Sequence, residues 1–238
     1  MSSFISRKKN SPSFLISINK PIEMSKVLIV SRTRMRENRV CVGGIDLDNN
    51  RPIRLLDPNG YHEIESECPF NIGDLWECSY VRNPKRPAPH LEDTNVIIRE
   101  LLEKESCKTS DDFRSTLSTH GIKIFTGSLD NCFESCLFYD GHRYYVKEEN
   151  VPNYSTCFWI NDHWLKNNDY HKPEGGVKKQ LAYMNGATHW GIPIAYVGLG
   201  VTPNSVIPGS LVRLSLANWW SKDEYTPKRC YLQISWIY

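Results

Sequence analysis

A chain of 238 residues, 40% hydrophobic and 24% charged, has room for one large β domain or two small ones, and two are expected. It holds no apolar stretch near the ~20 residues that a membrane-spanning helix needs, so no membrane span is expected, and the cysteines, read below as reduced thiols, suggest a cytoplasmic location without a membrane partner. Residues 1–23 hold four basic side chains against one acid, so the remainder carries a formal charge of −1 where the whole carries +2. Any surface for an anionic partner must therefore come from local clustering.

Such clustering is present. Residues 26–60 hold seven basic side chains and four acids, and residues 177–238 hold six and two, whereas residues 125–176 hold four and eight. Two basic ends enclose an acidic middle. The eight cysteines lack the spacing of a disulfide framework, and several sit inside apolar strand-like runs, where a thiol acts as a small buried hydrophobe. Reduced thiols fit better. A zinc site needs two closely spaced ligand pairs, and only Cys132 and Cys136 approach one, so no metal and no cofactor is expected.

In chain order, residues 1–23 read as a leader or tail outside the fold, with Met24 a candidate start. VLIVSRTR, RVCVGGID, RPIRLL after an Asn49-Asn50 turn, and DLWECSYV then form a β-meander, because short strand-like runs are split by turns and asparagine tolerates a positive φ. If the first strand runs on, Arg32, Arg34 and Arg36 share one face. Prolines at 84, 87 and 89 force an extended connection, and VIIRELLEKE after it reads as a strand running into a loop. Ser110 as N-cap, first-turn acids at 111 and 112, and Gly121 as the stop mark one short helix. The second half brings a hairpin around Asp140-Gly141, then STCFWI, PIAYVGLG, LVRLSLANWW and CYLQISWIY as strands, with a surface excursion at residues 161–185. The fold class is all-β with one or two short helices, dividing into residues 24–105 and 106–238.

The order of VLIVSRTRMR, CVGGIDL, RPIRLL, PFNIGDLWEC, PHLEDTNV and the closing LVRLSLANWW with RCYLQISWIY resembles the dual OB-containing domain family, found mainly in bacteria. The resemblance spans nearly all of residues 24–238. It implies two OB-like barrels in one chain and a nucleic-acid sensor or adaptor, of the kind considered alongside bacterial anti-invader systems. An OB barrel binds oligonucleotides through basic side chains and aromatic stacking on one sheet face.

Arg32, Arg34, Arg36, Arg39 and Arg54 are the first candidates for phosphate contact, since guanidinium groups clamp phosphate bidentately. A solubilising strand edge is the plainer role for the same charges. Arg213, with Lys228 and Arg229, extends the basic surface. Trp219 and Trp220 are adjacent, so on a strand one faces the core and the other can stack a base. His90, Glu92 and Asp93 form a polar cluster that a metal-dependent hydrolase would use, but their spacing favours anchoring the proline-rich connection by hydrogen bonds. The expectation is a non-catalytic module for single-stranded DNA or RNA, with an adaptor that docks a protein encoded nearby as the alternative.

Overall fold

The computed structural model describes residues 23–83 and 87–238. The leader, but for Glu23, and Pro84 lie outside them. Strands hold 44% of the described residues and helices 8%, as the all-β expectation requires.

The first sheet contains β1 (Ser25–Arg34), β2 (Arg39–Asp46), β3 (Arg51–Leu56), β4 (Glu63–Ile64), β5 (Leu75–Arg82) and β6 (Asp93–Glu103). Strand β1 pairs with both β2 and β5, β3 runs parallel to β6, and β5 pairs with β6, which closes a five-stranded barrel with β4 on its edge. Alternation builds this core: Val27, Ile29, Val40, Val42, Ile53 and Leu55 point inward with Trp76 and Val96. Leu28, Val30 and Ile45, on the opposite face, are buried against the rest of the chain. Asn50, at φ +52°, makes the expected turn between β2 and β3.

Helix α1 (Ser110–Thr119) begins one residue earlier than expected: the N-cap is Thr109 and not Ser110, because Thr109 forms a capping box with Asp112. Gly121, at φ +61°, follows the helix end. Then come β7 (Ile124–Phe125), two single-turn 3-10 helices (Leu129–Asn131 and Phe133–Ser135), β8 (Phe138–Tyr139) and β9 (Tyr144–Lys147). The remaining strands are β10 (Thr156–Ile160), β11 (Leu165–Asn167), β12 (Tyr170–His171), β13 (Val177–Lys178), β14 (Gln180–Tyr183), β15 (Ile192–Tyr196), β16 (Ser205–Val206), β17 (Leu211–Leu216) and β18 (Arg229–Ile237). The second sheet runs β16-β11-β14-β15-β18-β17-β10-β7 and is curled, with β15 parallel to β18. Counting β10 and β11 as two arms of one bent strand reproduces the neighbour order of the first barrel. The Asn161 side chain holds the bend, donating to the carbonyls of His163 and Ile207.

The excursion expected at residues 161–185 is smaller than that range. Strands β11 and β14 belong to the sheet, and only the segment between them, carrying the β12–β13 pair, leaves it. Three- and four-residue strands are too short for alternation to reveal.

Three sets of contacts join the two barrels. Phe113 and Leu117 of α1 pack with Leu28, Val30 and Ile45 from the first and Phe158 and Leu211 from the second. The end of β1 continues into the second barrel by backbone bonds, Arg34 N to the Val197 carbonyl (2.9 Å) and Leu199 N to the Arg32 carbonyl (3.1 Å). The proline-rich connection docks as well: Glu92 accepts from Ser155 Oγ (2.9 Å), His90 Nε2 lies 3.2 Å from the Ala217 carbonyl, and Trp219 Nε1 donates to the Ala88 carbonyl (2.8 Å).

Candidate nucleic-acid interface

Between these joints lies a cleft of about 850 Å³. One wall is the outer face of β1, β2 and β3, where register sets Ser31, Gly43 and Arg54 in one row across the strands and Thr33 beside Cys41 in the next. The other wall is β15, β17 and β18. On β17, alternation sends Val212, Leu214 and Leu216 into the core and leaves Arg213 and Ser215 facing the cleft, with a register shift against β18 just after Arg213.

Two arginines form the floor, and they differ in kind. Arg54, 9% exposed, pairs with Asp93 (3.0 Å) and donates to Ser155 Oγ (3.1 Å). Burial works against its charge, yet Cys41, Asp93 and Glu92 together raise its pKa. Arg213, 4% exposed, donates through Nη1 to Ser235 Oγ (3.1 Å), but its Nε has no hydrogen-bond partner and no carboxylate pairs with it among the described residues. Burial pushes its pKa down, although a guanidinium remains protonated in a protein. Glycine at 43 makes room for it: a Cβ there would sit 2.7 Å from Arg213 Nη2 and 2.5 Å from Ser31 Oγ.

Around the rim, Arg34 donates through Nη2 to the Tyr196 carbonyl (2.6 Å) while its Nη1 has no partner among the described residues. Arg36 is exposed in the turn after β1, and Arg39 lies 5.8 Å from the Tyr61 ring. Lys178 has its pKa lowered by burial and then by the nearby charges of Arg143 and Lys172. In all, seven lysine and arginine side chains line the cleft against one carboxylate, Glu37. Trp219 is partly buried against the second core, and Trp220, 52% exposed, stands 6.1 Å from the Tyr231 ring; all three line the cleft.

The sequence placed some of these residues differently. Arg32 and Arg34 alternate onto one face of β1, opposite Val42 and Val40, but Arg36 lies beyond the strand, which ends at Arg34. A register shift between Ile29 and Ser31 turns Ser31 and Thr33 toward the cleft, and Arg32, which does not line it, donates to Asn71 Oδ1 (3.2 Å). Strand β17 ends at Leu216, so the two tryptophans are positioned by the segment beyond it rather than by strand alternation. Arg229 pairs with Asp140 (2.9 Å) and lies 4.1 Å from the Tyr145 ring, and neither it nor Lys228 lines the cleft. His90, Glu92 and Asp93 are buried at the joint and are likewise not among the cleft's lining residues. No group of three or more His, Cys, Asp or Glu side chains among the described residues is placed to hold a metal ion.

Sequence reasoning passed over Arg143, Lys178 and Tyr231. The Gly43-Gly44 pair inside a strand was the readable signal of a close approach at this wall.

The family model of the dual OB-containing domain matches residues 25–237. Among curated proteins no match is found.

Proposed function

Because the chain belongs to the dual OB-containing domain family, we propose that it binds single-stranded or otherwise unpaired nucleic acid in the cleft between its barrels, without catalysis. OB barrels bind oligonucleotides on the face of their second and third strands and on the loops after the first and fourth. In the first barrel the corresponding face, β2 and β3 with the turn at residues 35–38, is a cleft wall. The observation that carries the reading is the seven-to-one excess of cations over carboxylates in that lining, next to the rings of Trp219, Trp220 and Tyr231. Cations follow a phosphate backbone and flat rings stack exposed bases, which favours unpaired strands over duplex.

The non-catalytic part of the reading rests on His90, Glu92 and Asp93 lying buried in the joint behind Arg54, outside the cleft's lining. Eight free cysteines fit a reducing compartment, and a bacterial cytoplasmic sensor of foreign nucleic acid is the setting we infer. The adaptor reading keeps one observation of its own, since Trp190 and Tyr225 are highly exposed and line no part of the cleft.

The test is fluorescence anisotropy of the full chain with labelled single-stranded and duplex DNA and RNA across a salt series. If about four phosphates are contacted, affinity for a single strand should fall by about 50-fold between roughly 50 and 200 mM salt. No salt-sensitive binding to any oligonucleotide would overturn the reading and move the function to a protein partner.

A further inference from the structure

We propose that the floor of the cleft is a site for a phosphate monoester, so that the ligand ends in phosphate there. This rests on the nucleic-acid reading and sharpens it. Arg213 is a permanently charged guanidinium, 4% exposed, with no carboxylate paired to it and an unpartnered Nε among the described residues. A buried charge with no counter-ion in contact is costly, and an anionic ligand in contact with it would offset that cost. The surroundings suit a phosphate. Ser31, Thr33, Thr156 and Ser215 line the same cleft and bring hydroxyl donors, and the glycine at 43 removes the Cβ that would crowd the guanidinium. Arg54 is paired with Asp93, whereas Arg213 has no carboxylate in contact and feels Glu92 only from farther off, so Arg213 is the floor guanidinium open to a ligand's charge.

Burial also decides which phosphate. An internal phosphodiester carries one negative charge and continues as chain on both sides, so it needs two ways out of its site. A terminal monoester carries about −1.5 to −2 at neutral pH and needs one. A floor whose two arginines are both buried, below a rim where Arg36 and Trp220 are exposed, accepts the second more readily. The monoester comes from a strand end or from a free nucleotide. The rim rings and cations then hold the nucleotides behind it.

The experiment compares one labelled single strand carrying a 5′-phosphate, a 3′-phosphate or hydroxyl ends, with nucleoside monophosphate as competitor, against the full chain. One phosphorylated end should bind about tenfold or more tighter than the hydroxyl-ended strand, and Arg213→Met should bring it down to the hydroxyl-ended level. Arg213→Lys, which keeps the charge and loses the planar fork, should also reduce the preference, and serves if the methionine variant fails to fold. Displacement of the strand by nucleoside monophosphate at comparable concentration would assign the site to free nucleotides, and a lack of displacement to strand ends. Equal affinity for all three strands would overturn the monoester site while leaving strand binding in place. No binding of any of them would overturn the nucleic-acid reading with it.

Discussion

Arg213→Met should weaken binding of the tightest oligonucleotide by about 10- to 100-fold and leave the unfolding midpoint unchanged or higher. The two halves of that result have one cause. In the free protein Arg213 is buried with a hydrogen bond to Ser235 and no carboxylate in ion-pair contact among the described residues, Glu92 acting on it only from farther off, so removing its charge relieves desolvation, and methionine preserves much of the volume. In the complex the same guanidinium supplies charge-assisted hydrogen bonds to phosphate, each contributing about 1.5–3 kcal/mol. Anisotropy reads the first half and a urea titration the second. A variant that unfolds more readily while binding as the wild type does would make Arg213 a structural residue and remove the floor from the site.

Asp93→Ala should do the opposite, lowering stability by about 3–5 kcal/mol. Asp93 is the carboxylate paired with Arg54 at 3.0 Å, and deleting it strands a buried guanidinium at the joint. Glu92, which receives the Ser155 hydroxyl, does not occupy the same position. Urea denaturation with an unchanged m-value and a lower midpoint is the expected signature, and a loss under about 1 kcal/mol would contradict the structural role assigned to the Arg54–Asp93 pair. The two floor arginines thus separate: one is satisfied by the protein, the other waits for a ligand.

Much of the fold was legible because its signals are local. The strand-like apolar runs of β1, β2 and β17, the Asn49-Asn50 turn, the Asp140-Gly141 hairpin, and the first-turn acids and glycine stop of α1 all act within a few residues. The site was less legible because it depends on where two distant walls meet. Arg213 sits in an apolar run and reads as a surface cation; it is buried because the outer face of β17 is covered by the first barrel's β1 and β2. Of the three arginines of SRTRMR, Arg32 and Arg34 keep a common face, which one register shift turns opposite to that of Ser31 and Thr33, and Arg36 is lost to the end of the strand. Lys178 lies in a region that resembles a loop, and only the fold brings it beside Arg143, about 35 residues away in sequence but at the same rim. The basic ends of the chain nevertheless pointed to the right segments, since six of the seven cleft cations come from them.

The most direct test of the inter-barrel site uses a cysteine already in place. Cys41 is half-buried in the cleft wall, Cys68 is half-buried outside the cleft lining, and the other six cysteines are buried. Alkylation of each thiol, followed by mass spectrometry with and without saturating single-stranded oligonucleotide, should show Cys41 protected and Cys68 unchanged. Full occupancy by the oligonucleotide with Cys41 reacting as fast as in the free protein would contradict the account, because the ligand would then be bound somewhere other than between the barrels.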